Sequence, residues 1–180
     1  MTQGPPAHEQ PWSVKLRLDE VPETGRHVVL KADAATRAAL AAPMGVDAVE
    51  QATASFDVTR RGRDGLHVAG RVTASVRQTC VVSLEPVANA VDEEVDVDFA
   101  PAREPRKAKE LDLEPAAPDV ESMAGDAIDL GQLATEFLTL GVDPYPRKPD
   151  AAFDGPTTGE AQENHPFAGL AALKKEPPKG

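Results

Sequence analysis

The sequence predicts an α+β fold. An antiparallel β-sheet, curled toward a barrel, carries two main helices, beside a disordered acidic loop and disordered tails. Three observations predict it. Several stretches alternate apolar and polar residues with period two, the pattern of a strand with one buried face. Two stretches combine good helix formers with capping residues at both ends. The 17 prolines crowd the N-terminus, residues 101–118 and the last quarter of the 180-residue chain. Residues 11–150 are therefore expected to form one domain, with 100–127 as a flexible acidic loop inside it. Residues 1–10 are expected to be flexible, and 151–180 to be a mostly disordered tail with a short docking helix at 166–174.

In chain order, Trp12, Val14, Leu16 and Leu18 alternate with Ser13, Lys15, Arg17 and Asp19, which predicts a strand. A turn at 22–25 leads to a second short strand, "RHVVLKA". Asp33 is an N-cap for the helix "AATRAALAA", which Pro43 and Gly45 stop. "AVEQATASFDVTR", the hairpin loop "RRGRDG" (60–65) and "LHVAGRVTASVRQ" then predict two paired strands. "CVVSLEP" connects them to a third, "VANAVDEEVDVDF". Its acids Asp92, Glu94, Asp96 and Asp98 share one face, over which pairing would bring Arg71 and Arg77. Residues 100–127 have no period.

"IDLGQLATEFLTLGV" is the clearest helix. Asp129 as N-cap and Gln132 three residues on resemble a capping box. Leu130, Leu133, Ala134, Phe137 and Leu140 form its apolar stripe. Gly141 ends it and Pro144 bars continuation. The exit "DPYPRKPD" holds three prolines, the only tyrosine and the pair Arg147-Lys148. Alternating prolines keep it extended. Tyr145 is expected to pack against the domain, leaving Arg147 and Lys148 for a partner. In "NHPFAGLAALKK", Phe167, Leu170, Ala171 and Leu173 form one apolar face of a two-turn helix.

Composition narrows the function. A formal net charge of -11 repels nucleic acid over most of the surface. A basic protein partner suits such a body, and only a local patch would touch RNA. One cysteine, Cys80, leaves no internal disulfide and no cysteine metal cluster. The start lacks the pattern of a secretory signal, and no apolar run approaches the roughly 20 residues of a membrane span. The expected location is the cytoplasm.

Candidate chemistry is sparse. His8, His27, His67 and His165 lack metal-ligand spacing with one another or with Cys80. No glycine-rich phosphate loop and no G-x-S-x-G occurs. Cys80 near Arg77 suggests an activated thiol, but a small buried apolar residue is the simpler role. The acids of "DEEVDVD" lie about 6.5–7 Å apart along a strand, too spread to gather around one ion. Arg60, Arg61 and Arg63 form the best basic cluster, either a contact surface or solvated loop charge.

"RVTASVRQTCVVSLEPV", the acidic strand "VDEEVDVDF", the low-complexity gap, "IDLGQLATEFLTLGVDPYPRKPDA" and "NHPFAGLAALKK" together resemble the YceD family, the large ribosomal RNA subunit accumulation proteins, in its alphaproteobacterial form. The resemblance spans roughly residues 10–175. It implies a non-enzymatic factor in accumulation or processing of 23S rRNA, with neither cofactor, metal nor small-molecule substrate. Many members carry C-x-x-C followed by Leu-x-Pro. Here Cys80 keeps the first position, Ser83 replaces the second cysteine, and Leu84 and Pro86 fit. No thiol pair remains, so the segment is expected to be a structural turn. The expected partners are ribosomal or rRNA-processing proteins, with a local rRNA contact as a further option. The expected contacts are Arg60, Arg61, Arg63, Tyr145, Arg147, Lys148, Phe167 and Leu170. The alternative is a general protein-binding or chaperone-like module unrelated to rRNA.

Overall fold

A computed structural model describes residues 10–101, 120–153 and 155. The elements run β1 (Lys15–Arg17), a single 3-10 turn (Leu18–Glu20), β2 (Arg26–Lys31), α1 (Ala34–Met44), β3 (Ala48–Arg61), β4 (Gly65–Thr79), β5 (Pro86–Pro101), β6 (Val120–Met123), β7 (Ala127–Asp129) and α2 (Leu130–Leu140). The fold is α+β. Five strands form one sheet in the order β2-β3-β4-β5-β6, and β1 pairs β7 in a separate two-stranded ribbon. The curl does not become a barrel: β2 and β6 are the two edges of the sheet among the described residues.

The long meander follows from its alternating pattern. On β3, Ala54, Phe56 and Val58 face inward and are buried; Leu66, Val68, Val72, Ala74 and Val76 do the same on β4. Val91, Val95 and Phe99 extend this face onto β5. Fully burying such a side chain contributes about 1.5–3 kcal/mol. The face has a gap at Gly70, directly opposite Phe56. A Cβ there would lie 2.1 Å from the Ser55 carbonyl oxygen, so only glycine fits. β3 also carries an irregularity between Val49 and Gln51, where an extra residue bends the strand.

Both helices cover the inner face, with α1 against β3 and α2 against β4, β5 and β1. Asp33 caps α1 as expected, accepting from the Thr36 N–H at 2.8 Å. Pro43 does not stop α1; it sits in the last turn, and Gly45 ends the helix at φ +65°. There its N–H bonds to Ala41 and Ala42 carbonyls, a left-handed C-terminal cap. In α2 the buried side chains are Leu130, Leu133, Ala134, Thr135 and Leu138. Leu140, expected in the stripe, is 81% exposed.

Other expectations also change. The strand expected from Trp12 onward is only three residues long, then becomes the 3-10 turn. The stretch 100–127 is less irregular than its composition suggests: Val120–Met123 pairs parallel with Asp98–Pro101 of β5. The N-terminal nine residues, 102–119 and the expected docking helix at 166–174 lie outside the described residues, as do His8, His165, Phe167 and Leu170. No described helix is long and apolar enough to cross a membrane.

Candidate functional site

Two segments far apart in sequence meet at one end of the sheet. The first is the turn between β4 and β5. Cys80 N–H donates to the Glu85 carbonyl at 2.8 Å, and Leu84 N–H to the Cys80 carbonyl at 3.0 Å. Leu84 takes φ +58°, an uncommon left-handed conformation for a side chain of its size, and is 77% exposed. Pro86 then opens β5. The segment is a structural turn, as its Leu-x-Pro pattern implied.

The second segment is the exit of α2. Gly141 ends the helix at φ -79°, so its glycine is not needed for a left-handed cap. A Cβ there would lie 2.6 Å from Glu93 Cγ, and close approach to β5 is the reason for it. Tyr145 N–H donates to Asp143 Oδ1 at 2.9 Å, turning the chain. Buried Gln78 reaches from β4 to the Asp143 carbonyl at 2.8 Å and accepts from Asn89 Nδ2 at 2.8 Å.

Turn and exit clamp each other. Val81 N–H donates to the Pro146 carbonyl at 2.9 Å. Lys148 N–H donates to Cys80 Sγ at 3.4 Å, and so does Ser83 N–H. Lys148 Nζ pairs with Glu85 at 2.7 Å. That bond holds the Glu85 carboxyl below and the Lys148 ammonium above their ordinary values. The Ser83 hydroxyl beside the sulfur, then the N–H groups of Ser83 and Lys148, push the Cys80 thiol down to about 6. The hydroxyl reaches no partner at hydrogen-bonding geometry, so the two N–H donors are the part that geometry supports. Cys80 is fully buried and acts as an acceptor inside the fold.

The expectation that Tyr145 packs against the domain is overturned. Pro146 takes the buried place, and the tyrosine ring beside it is 71% exposed. Seven large apolar side chains stand exposed among the described residues, and five of them (Val81, Leu84, Leu140, Tyr145 and Phe153) belong to this turn, the helix end or its exit. Beside them lies a cleft of about 380 Å³, lined by Met44, Thr139, Val142, Pro144 and Pro146 among others. Sequence reasoning missed Leu84 and Leu140. Leu84's signal is its place in the Leu-x-Pro turn.

The basic hairpin tip divides. Arg60 folds back, its guanidinium donating to the Val21 carbonyl at 2.7 Å and the Leu18 carbonyl at 2.9 Å. Arg61 pairs with Asp98 at 2.9 Å. Arg63 is exposed and lines, with Arg61, a second cleft of about 430 Å³. Across β4 and β5, Arg71 pairs with Asp92 at 2.7 Å. Arg77 instead faces Ala88, and no ion pair reaches it among the described residues. His27 and His67 hydrogen-bond Asp57 and Asp98 on the outer face at 2.7 and 2.9 Å. No described group of three or more His, Cys, Asp or Glu residues is placed to hold a metal ion.

No curated protein and no solved structure matches the chain. The family model described as "Large ribosomal RNA subunit accumulation protein YceD" matches residues 68–174. The matched region runs from β4 through the turn, the acidic strand, α2 and its exit, and on to residue 174. It covers more than half of the 180 residues, and the chain belongs to the YceD family, which is named for accumulation of the RNA of the large ribosomal subunit.

Proposed function

We propose that this protein supports accumulation or processing of 23S rRNA by binding a ribosomal or assembly protein in the cytoplasm, without covalent chemistry. The observation that carries this reading is the turn–exit surface. Tyr145 and Leu84 project from backbone held at both sides by the Val81–Pro146 and Lys148–Cys80 hydrogen bonds. An aromatic anchor on a rigid backbone loses little entropy on docking, and Tyr is among the residues that dominate binding energy at interfaces. Arg147, exposed beside it, adds a charge that an RNA phosphate or an acidic side chain would accept. Cys80 serves as internal acceptor, which accounts for its burial without a catalytic role.

Tyr145→Ala and Leu84→Ala tests the reading. Wild-type protein is expected to co-sediment with large-subunit precursors, and the double variant to fold normally but remain in the supernatant. Co-sedimentation that survives both substitutions removes this surface from the mechanism. Normal 23S rRNA levels in a deletion strain argue against the function itself. Partners that persist after ribonuclease treatment and are not ribosomal favour the general binding module instead.

A further inference from the structure

We propose that the open edge of β5 receives an extended, lysine- or arginine-rich segment of a partner protein as an added strand. β5 spans Pro86–Pro101, yet β6 pairs only with Asp98–Pro101. Along Pro86–Val97 the side away from β4 meets no strand and no backbone hydrogen bond among the described residues. Every second residue of such a strand turns its N–H and C=O outward. The result is a template some twelve residues long, well beyond the usual strand of about 5–6.

Charge selects the occupant. Asp92, Glu94 and Asp96 stand exposed on the outer face, and Glu93 sits half-buried on the inner face beside Gly141. A strand laid along this edge meets carboxylates on both of its faces. Only Asp92 is held at short range by a β4 side chain, Arg71; the His67 ring stands 3.9 Å from Asp96. A second copy of the chain, with net charge -11 and the same acid row, is repelled, and so is RNA. A cationic extended peptide gains the backbone ladder and the cross-strand ion pairs together.

Hydrogen–deuterium exchange on the full chain tests this, with a ten-residue peptide alternating lysine and valine and a glutamate counterpart as control. The lysine peptide is expected to slow alternate amides between Val87 and Val97, and to bind less tightly as salt rises. The triple variant Asp92→Lys, Glu94→Lys, Asp96→Lys should weaken it on the order of tenfold. The proposal is overturned if β5 amides do not slow or if the glutamate peptide slows them equally. It is also overturned if those amides are already protected in the free chain, which would mean its own residues cover the edge, or if an RNA oligonucleotide protects them instead. If the triple variant misfolds, the salt dependence and the control peptide still decide. Tyr145→Ala leaves this binding intact, so the edge and the turn–exit surface fail separately.

Discussion

The backbone N–H of Lys148 points at the sulfur of Cys80, 3.4 Å away and 68 residues distant in sequence. The same sulfur accepts from Ser83 N–H. Cys80→Ala therefore strands two N–H donors in a closed space, whereas Cys80→Ser supplies an oxygen, though on a shorter bond. Unmade buried hydrogen bonds cost more than their net contribution when made. Cys80→Ala is expected to lower Tm on the order of 5 °C, with Cys80→Ser retaining part of the difference. Calorimetry on the three proteins checks it, and equal Tm values would mean that the sulfur holds nothing.

The depressed Cys80 thiol makes a pH prediction. Its value falls from 9.0 to about 6 on folding. Between those values the unfolded chain binds the proton and the folded one does not, so stability rises with pH across this window. The contribution is complete above pH 9 and vanishes as pH falls through 6. Urea midpoints from pH 6 to 9 should climb in wild type relative to Cys80→Ser. A flat difference would show that the closed site keeps the thiol protonated. Below this window Glu85, held down by Lys148, adds an acid limb lost as its carboxyl protonates.

The arginines of the hairpin tip should separate by measurement. Arg60 donates to two carbonyls and ties the 3-10 turn to β3, and hydrogen bonds from charged donors contribute about 1.5–3 kcal/mol. Arg60→Ala is expected to lose roughly that much in a urea titration, without a specific effect on partner binding. Arg63→Ala, at an exposed tip, should stay within about 0.5 kcal/mol of wild type. A stability loss at Arg63 equal to that at Arg60 would contradict this division.

These contrasts also mark what the sequence can carry. β3, β4 and α2 are legible because period two, period 3.6 and Asp129 act over many residues within one segment. β6 is four residues long, too short for a period, and exists through pairing with the end of β5. Leu140 fits a helical stripe drawn from Leu130, but the buried face of α2 runs through Leu133, Ala134, Thr135 and Leu138, which leaves Leu140 exposed. "RRGR" does not say which arginine meets the carbonyls of Leu18 and Val21, because that contact spans 39 and 42 residues. Likewise Tyr145 and Pro146 are equally plausible anchors locally, and the hydrogen bond from Val81 to Pro146 decides between them.

Asp129 is more than a helix cap. One oxygen, Oδ1, accepts from the N–H groups of Val14, Gly131 and Gln132 at 2.8, 3.0 and 3.1 Å, while Oδ2 accepts from the Ser13 hydroxyl. The expected capping box is only half made, since Gln132 turns its amide to Glu136 at 2.9 Å. The carboxylate instead joins the residues leading into β1 to the start of α2, where Gly131 lets the Trp12 backbone approach; a Cβ there would lie 2.7 Å from the Trp12 carbonyl oxygen. Burial raises the Asp129 value, but the four donors outweigh it and leave it lowered. Its contribution is therefore present above the ordinary carboxylate range and lost as pH falls through the folded value. Asp129→Ala removes both oxygens and is expected to cost about 2 kcal/mol, the upper end for an N-cap. Asp129→Asn keeps Oδ1 for three N–H donors and offers an amide to the Ser13 oxygen, losing chiefly the charge at the helix start, about 0.3–1 kcal/mol. Urea denaturation at neutral and acid pH distinguishes the two. The Asn variant should also lose this residue's share of the acid dependence, and equal losses for Ala and Asn would place the effect in charge rather than in the shared oxygen.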